Sequence, residues 1–96
     1  MREFILNRDD YKCCMCNRDL LKASPITRAI HHILPRQYKE LFFDDMNLIL
    51  LCSSCHHWHK TSPHQNALYF SLWLNENKKE QYEYLIKKLK EVKSIS

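Results

Sequence analysis

Asn47-Leu48-Ile49-Leu50-Leu51-Cys52-Ser53-Ser54-Cys55-His56 is the stretch on which the reading of this chain turns. A short aliphatic run bounded by polar residues reads as a buried strand over residues 48–51. Cys52-x-x-Cys55 follows it at once as a two-thiol knuckle, and Ser53 or Ser54 is placed to cap a helix running through residue 60. Working backwards, residues 26–34 are rich in β-branched side chains and stop at Pro35, so they read as the partner strand, with His31 and His32 near its end. The connection over 36–46 carries one helical turn at 38–42. Before the first strand, Cys13-x-x-Cys16 marks a turn over 12–19. A short helix over 2–11 opens the chain, with Phe4, Ile5, Arg8 and Tyr11 at helical spacing. Working forwards, Ser62-Pro63 starts a helix with Leu68, Tyr69, Leu72 and Trp73 on one face, broken by Asn75 and Asn77. A last helix over 78–93 puts Tyr82, Leu85, Ile86, Leu89 and Val92 on one stripe opposite a Lys- and Glu-rich face. Both stripes are read as core faces.

The chain has 96 residues, 45% apolar and 27% charged, which suits one folded domain over 1–96 and excludes a disordered one. No apolar run approaches the ~20 residues of a membrane span. The start, Met-Arg-Glu-Phe-Ile-Leu-Asn-Arg-Asp, carries acids too early for a secretory signal. Net charge is +4, a mild bias toward anionic partners. There is no Gly, so turns fall to Asn, Asp, Pro and Ser. There are five Cys and six His, and all but His64 lie between residues 13 and 59.

An odd cysteine count argues against a closed disulfide framework, and a reducing cytoplasm is the expected compartment. Two C-x-x-C knuckles then read as one tetrahedral zinc site of Cys13, Cys16, Cys52 and Cys55. Cys14 is left as a bystander. In so small a core the zinc acts as a staple, and removing it is expected to unfold the domain.

The histidines lie between and just after the knuckles. On a regular helix His56, His59 and Lys60 share one face, while His57 points about 100° away. A His from the strand with one or two from this helix could hold a second metal with an open position, as hydrolysis requires. Phosphodiester hydrolysis needs a base for water, a Lewis acid for the phosphate, and alignment of the two. Imidazole can serve as base near pH 7 once its other nitrogen is fixed by an acceptor such as an Asn carbonyl. On a regular strand His31 and His32 face opposite ways, so a shared site requires the strand to bend or end there.

The run Cys13-x-x-Cys16, His31-His32-x-x-Pro35, Asn47-Leu48, Leu51-Cys52-x-x-Cys55-His56 resembles the HNH endonuclease family over about residues 8–61, and loosely its small phage-type members. The resemblance implies an α+β fold: a ββα-metal core over 8–61 stapled by a four-Cys zinc, with residues 62–96 as two C-terminal helices. It implies that His32 is the general base and that Asn47 orients it. His31 and His56 would be ligands of a catalytic divalent ion, Mn, Ni, Co, Zn or Mg, with His59 preferred as the third. The family often carries an acid where this chain has His31, a change that favours Zn, Ni, Co or Mn over Mg. The substrate implied is DNA, expected to be double-stranded and nicked one strand at a time. A homodimer or a partner protein would choose the target, in the cytoplasm of the host if the chain is phage-encoded.

Arg36 and Lys60 are the expected phosphate contacts, with Arg28, Lys39 and the tail residues Lys78, Lys79, Lys87 and Lys88 as further candidates. Two other readings compete. A non-catalytic zinc-finger-like nucleic-acid-binding module would use Trp58 and Arg36 for stacking and phosphate contact. A structural zinc protein would dock a partner through its last two helices. A second, exchangeable metal separates the nuclease from both.

Overall fold

The computed structural model describes residues 2–58, 60 and 62–95, and side chains as far as residue 91. Its centre is an antiparallel pair, β1 (Arg28–His32) and β2 (Leu48–Cys52), in the register Arg28↔Cys52 to His32↔Leu48. All five residues of β2 are buried, as its unbroken aliphatic run requires. β1 is shorter than its composition suggests, for reasons at both ends. Pro25 starts a 3₁₀ turn (Pro25–Thr27) that absorbs Ile26 and Thr27. At the other end Asn47 takes the backbone of Leu34, its Oδ1 accepting from Leu34 N at 2.7 Å and its Nδ2 donating to Leu34 O at 3.1 Å.

α1 (Arg2–Arg8) packs Ile5 and Leu6 into the core and leaves Phe4 half exposed. The helix is shorter than the expected 2–11 because the chain turns left-handed at Asp10 (φ 56°) and Tyr11 (φ 53°). The Tyr11 N–H closes that turn on Leu6 O at 2.8 Å. In glycine's absence Asp10 and Asn17 (φ 65°) take such positions as expected, but Tyr11 does so too, at a steric cost. Arg8 and Asp9 then fasten α1 to β2. Arg8 grips Asp9 through two bonds of 2.9 Å and donates to Asp45 O and Leu48 O at 2.7 Å. Asp9 accepts from Leu50 N at 3.0 Å. Burial works to raise the Asp9 carboxyl, but Arg8 and the Leu50 N–H outweigh it and hold it below its ordinary value.

Between the strands, 3₁₀ turns at Lys39–Leu41 and Asp45–Asn47 carry the chain, the first at the expected place. Beyond β2 the chain forms a single π-helical turn, Ser54–Trp58. Ser62-Pro63 does not start a helix. It opens a turn in which Ser62 O accepts from Gln65 N and Asn66 N, at 3.1 and 2.8 Å. Asn66 then caps α2 (Ala67–Asn77), its side chain accepting from Tyr69 N at 3.0 Å.

The buried face of α2 is Phe70 and Leu74, not the expected stripe. Leu68 is 83% exposed, Leu72 55% and Tyr69 41%, with Trp73 half-buried. Asn75 and Asn77 remain helical, and the break falls at Lys78. α3 (Lys79–Ile95) buries Leu85 and half-buries Tyr82, Ile86 and Leu89. Val92's side chain lies outside the described residues. Gln81, which the apolar pattern does not single out, is buried and donates to Met46 O at 2.9 Å, tying α3 to the base of β2. No described helix is long and apolar enough to cross a membrane.

Candidate metal centres

The first centre is the cysteine frame. A small hairpin around Cys13 and Cys16 is closed by Cys13 N donating to Arg18 O (3.0 Å) and Asn17 N donating to Cys13 O (2.8 Å). Cys14 N donates to Leu50 O at 3.0 Å and so sets this hairpin against β2. Cys52 ends β2 and Cys55 sits in the π turn. The sulfurs of Cys13, Cys16, Cys52 and Cys55 all lie within 4.8 Å of one another, and Cys16 Sγ is 3.7 Å from Cys52 Sγ. A tetrahedron with Zn–S bonds of about 2.3 Å sets its sulfurs ~3.8 Å apart. The four thiols therefore fit a structural metal such as zinc. Burial opposes ionisation of Cys52, yet the Cys55 backbone N–H and neighbouring thiols overcome it and lower its pKa. Cys14 lies outside the cluster. Burial, and then Asp9, push its thiol up to about 12.

The second centre is a histidine triad: His31 from β1, His56 from the π turn and His64 from the turn before α2. His31 Nδ1 is 3.0 Å from His56 Nε2, and His64 Nε2 is 3.1 Å from the same nitrogen. A neutral imidazole nitrogen carries either a hydrogen or a lone pair, so His56 Nε2 cannot satisfy both neighbours well. A cation at the centre would take one lone pair from each ring. Zn–N bonds of about 2.0–2.1 Å in a tetrahedron set nitrogens ~3.3 Å apart, close to these separations.

The rings are also held neutral. Burial, then the charge of His56 and the other rings, pushes His31 down to about 3. Burial, then His57 and His64, pushes His56 down to about 4. The exposed His64 is lowered by burial and then by His57. Phe70 stands edge-on to His31 at 5.4 Å, and His57 stacks on His64 at 4.4 Å. His57 thus backs the ring of His64.

His64 is the member that the spacing argument did not include. His59, the preferred third ligand, lies outside the described residues. The periodicity that favoured it assumed an α-helix, whereas the π turn bonds i to i+5 and shifts every face. The available signal for His64 was Ser62-Pro63, a turn former placed to bring the chain back toward His56.

β1 ends at His32, as a shared site required. His31, His32 and His64 line one cleft of about 360 Å³ between the loop after β1 and the pair α2–α3. His32 stacks on Phe42 at 4.5 Å and makes no hydrogen bond among the described residues. Asn47 is fully buried, and its side chain is used up on Leu34 and Leu41 O (3.1 Å). It does not bond the His32 ring. It holds the loop behind it, and its own carbonyl accepts from Ile33 N at 2.9 Å.

Arg36 and Lys60 are exposed, as phosphate contacts must be. Arg28 is not free for that role: it donates to Leu20 O and Leu21 O at 2.9 and 2.8 Å and lies over the Tyr11 ring. On the tail, Lys79 pairs with Glu83 at 3.8 Å and Lys88 with Glu91 at 3.9 Å. Trp58 is 78% exposed.

No family model matches the chain, and none of the curated proteins or solved structures searched matches it.

Proposed function

We propose that this chain is a metal-dependent endonuclease of the HNH type that hydrolyses DNA phosphodiester bonds. The observation that carries the reading is the cleft bordered at once by His32 and by two rings of the His31–His56–His64 triad. A merely structural metal site has no need of a further imidazole at its edge. Of the three rings His31 is buried and His64 exposed, so an ion held by them would have its open position on the His64 side.

In this reading the four cysteines hold a structural zinc, and His31, His56 and His64 hold the catalytic divalent ion. That ion, when bound, supplies Lewis-acid stabilisation of charge on the scissile phosphate and the leaving oxygen. His32, outside the triad, accepts the proton of the attacking water. Phe42, stacked on His32, fixes the plane of its ring. Asn47 is a positioning residue: by binding Leu34 and Leu41 it sets the loop that fixes where β1 stops, and so where His32 sits. Arg36 and Lys60 are proposed to meet flanking phosphates.

Metal stoichiometry tests this reading. The nuclease holds two ions per chain, one tight zinc and one that exchanges. His64→Ala leaves the zinc and loses the second ion. One ion per chain, unchanged by His64→Ala, would instead favour the zinc-finger-like binding module.

A further inference from the structure

The cleft that meets the triad is charged nowhere along its described lining. Its imidazole end holds His31, His32 and His64, and the remainder is built of Leu34, Pro35, Leu74, Tyr82, Ile86 and Leu89. At about 360 Å³ it lies in the range of small-molecule sites, the size for one flat heterocycle with its sugar. Its chemistry sorts the parts of a nucleotide. A phosphate, which needs cations or donors, finds them along the described lining only at the imidazole end, with the exposed Arg36 next in sequence to the lining residue Pro35. The base, with an apolar face, has partners only in the interior.

The apolar surface continues past the cleft. A second hollow of about 490 Å³ shares Ser71 and Tyr82 with it and is lined by Leu68, Tyr69 and Leu72. These are the α2 residues whose exposure a core role does not explain. A base in a duplex is stacked above and below and cannot enter such a pocket; an unpaired one can. Apolar and aromatic platforms beside a basic chain are how single strands are held without sequence reading.

We infer that the cleft receives an unstacked nucleobase beside the scissile phosphate, and the α2 hollow the next one, so that the strand this protein binds is unpaired DNA. The inference rests on the nuclease reading for its chemistry, but its binding can be measured without cleavage.

The experiment uses the zinc-loaded His32→Ala chain with a fluorescent 16-mer as single strand, as perfect duplex, and as duplex with a central mismatched segment. Fluorescence anisotropy should show the single strand and the mismatched duplex bound about tenfold more tightly than the perfect duplex. Ser71→Phe and Ala67→Phe replace exposed residues at the mouth of the cleft and fill it. In a chain that keeps its helical circular dichroism and zinc, each should bring that ratio close to one. Equal or tighter binding of the perfect duplex overturns the inference, as does a preference that survives both substitutions or an absence of binding to all three.

Cleavage by the parent chain separates the two claims. Preference in binding with no cleavage under any metal removes the nuclease and keeps the cleft. Cleavage of paired and unpaired strands at equal rates keeps the nuclease and removes the cleft.

Discussion

His31 and His56 of the triad are neutral well below the pH where free histidine titrates, and His64 is lowered in the same direction. His31 is held down to about 3 and His56 to about 4, burial being the first cause in each. Metal uptake at ordinary pH therefore has few protons to displace. Calorimetric titration with the cysteine zinc in place should show metal binding to the triad with less than about half a proton released between pH 6.5 and 7.5. Release of one or more protons would mean that the rings are not desolvated as described.

The sign of the stability effect follows from the same shifts. Below about pH 6.5 the unfolded chain takes up protons that folded His31 and His56 refuse. With the triad empty, their contribution is complete above that value and is lost as pH falls toward 4 and then 3. Denaturant melts between pH 7 and 4 would check it. His31→Phe, which removes the titration and keeps an aromatic ring, should flatten the slope.

Asn47 gives a second test at this scale. Its side chain satisfies three backbone groups from full burial. Asn47→Ala should cost about 2–3 kcal/mol in urea denaturation. Asn47→Asp, which keeps the acceptor for Leu34 N but loses both donors, should not restore it.

Among the elements, strands and knuckles were legible and helix faces were not. Leu48–Cys52 is unmistakable because a run of aliphatics between Asn47 and a C-x-x-C knuckle has no other economical reading. The four-cysteine cluster follows from spacing alone, whereas His31 and His56 were singled out by the family resemblance, and the fold brings both into one cluster. α2 was misread because Ala67-Leu68-Tyr69-Phe70-Ser71-Leu72-Trp73-Leu74 is apolar nearly all round. Periodicity cannot choose a face there, and packing against β1 and α3 chooses Phe70 and Leu74. α3 was legible because its Lys- and Glu-rich face leaves one alternative. His64 was hidden because it reaches His56 through the Ser62–Asn66 turn, eight residues on, where no helical or strand period applies. The clasp of Arg8 and Asp9 on β2 is long-range and leaves no mark in local sequence. Arg8→Ala strands a buried carboxylate and frees two carbonyls, so it should destabilise the fold by about 2–4 kcal/mol in denaturant melts. An effect under half a kilocalorie would show that α1 is held by Ile5 and Leu6 alone.

At the scale of the molecule, two candidate metal clusters share the β2–π-turn junction: Cys52 and Cys55 belong to one, and His56, the next residue, to the other. A metal held by the cysteines would therefore also fix the geometry of the triad. Chelation deep enough to take the structural zinc should unfold the chain by circular dichroism, while milder chelation that empties only the triad should leave it folded.

That separation permits the measurement that bears most directly on the proposed activity. The chain, treated to empty the triad but shown to keep its zinc, is given supercoiled plasmid with Mg, Mn, Co, Ni or Zn added singly, beside His32→Ala purified in the same way. The account predicts nicked circles with at least one of Mn, Co, Ni or Zn, and loss of nicking in His32→Ala by a factor of about 100 or more at unchanged metal content. A folded, zinc-bearing chain that cuts with no metal, or whose cutting survives His32→Ala, would contradict it.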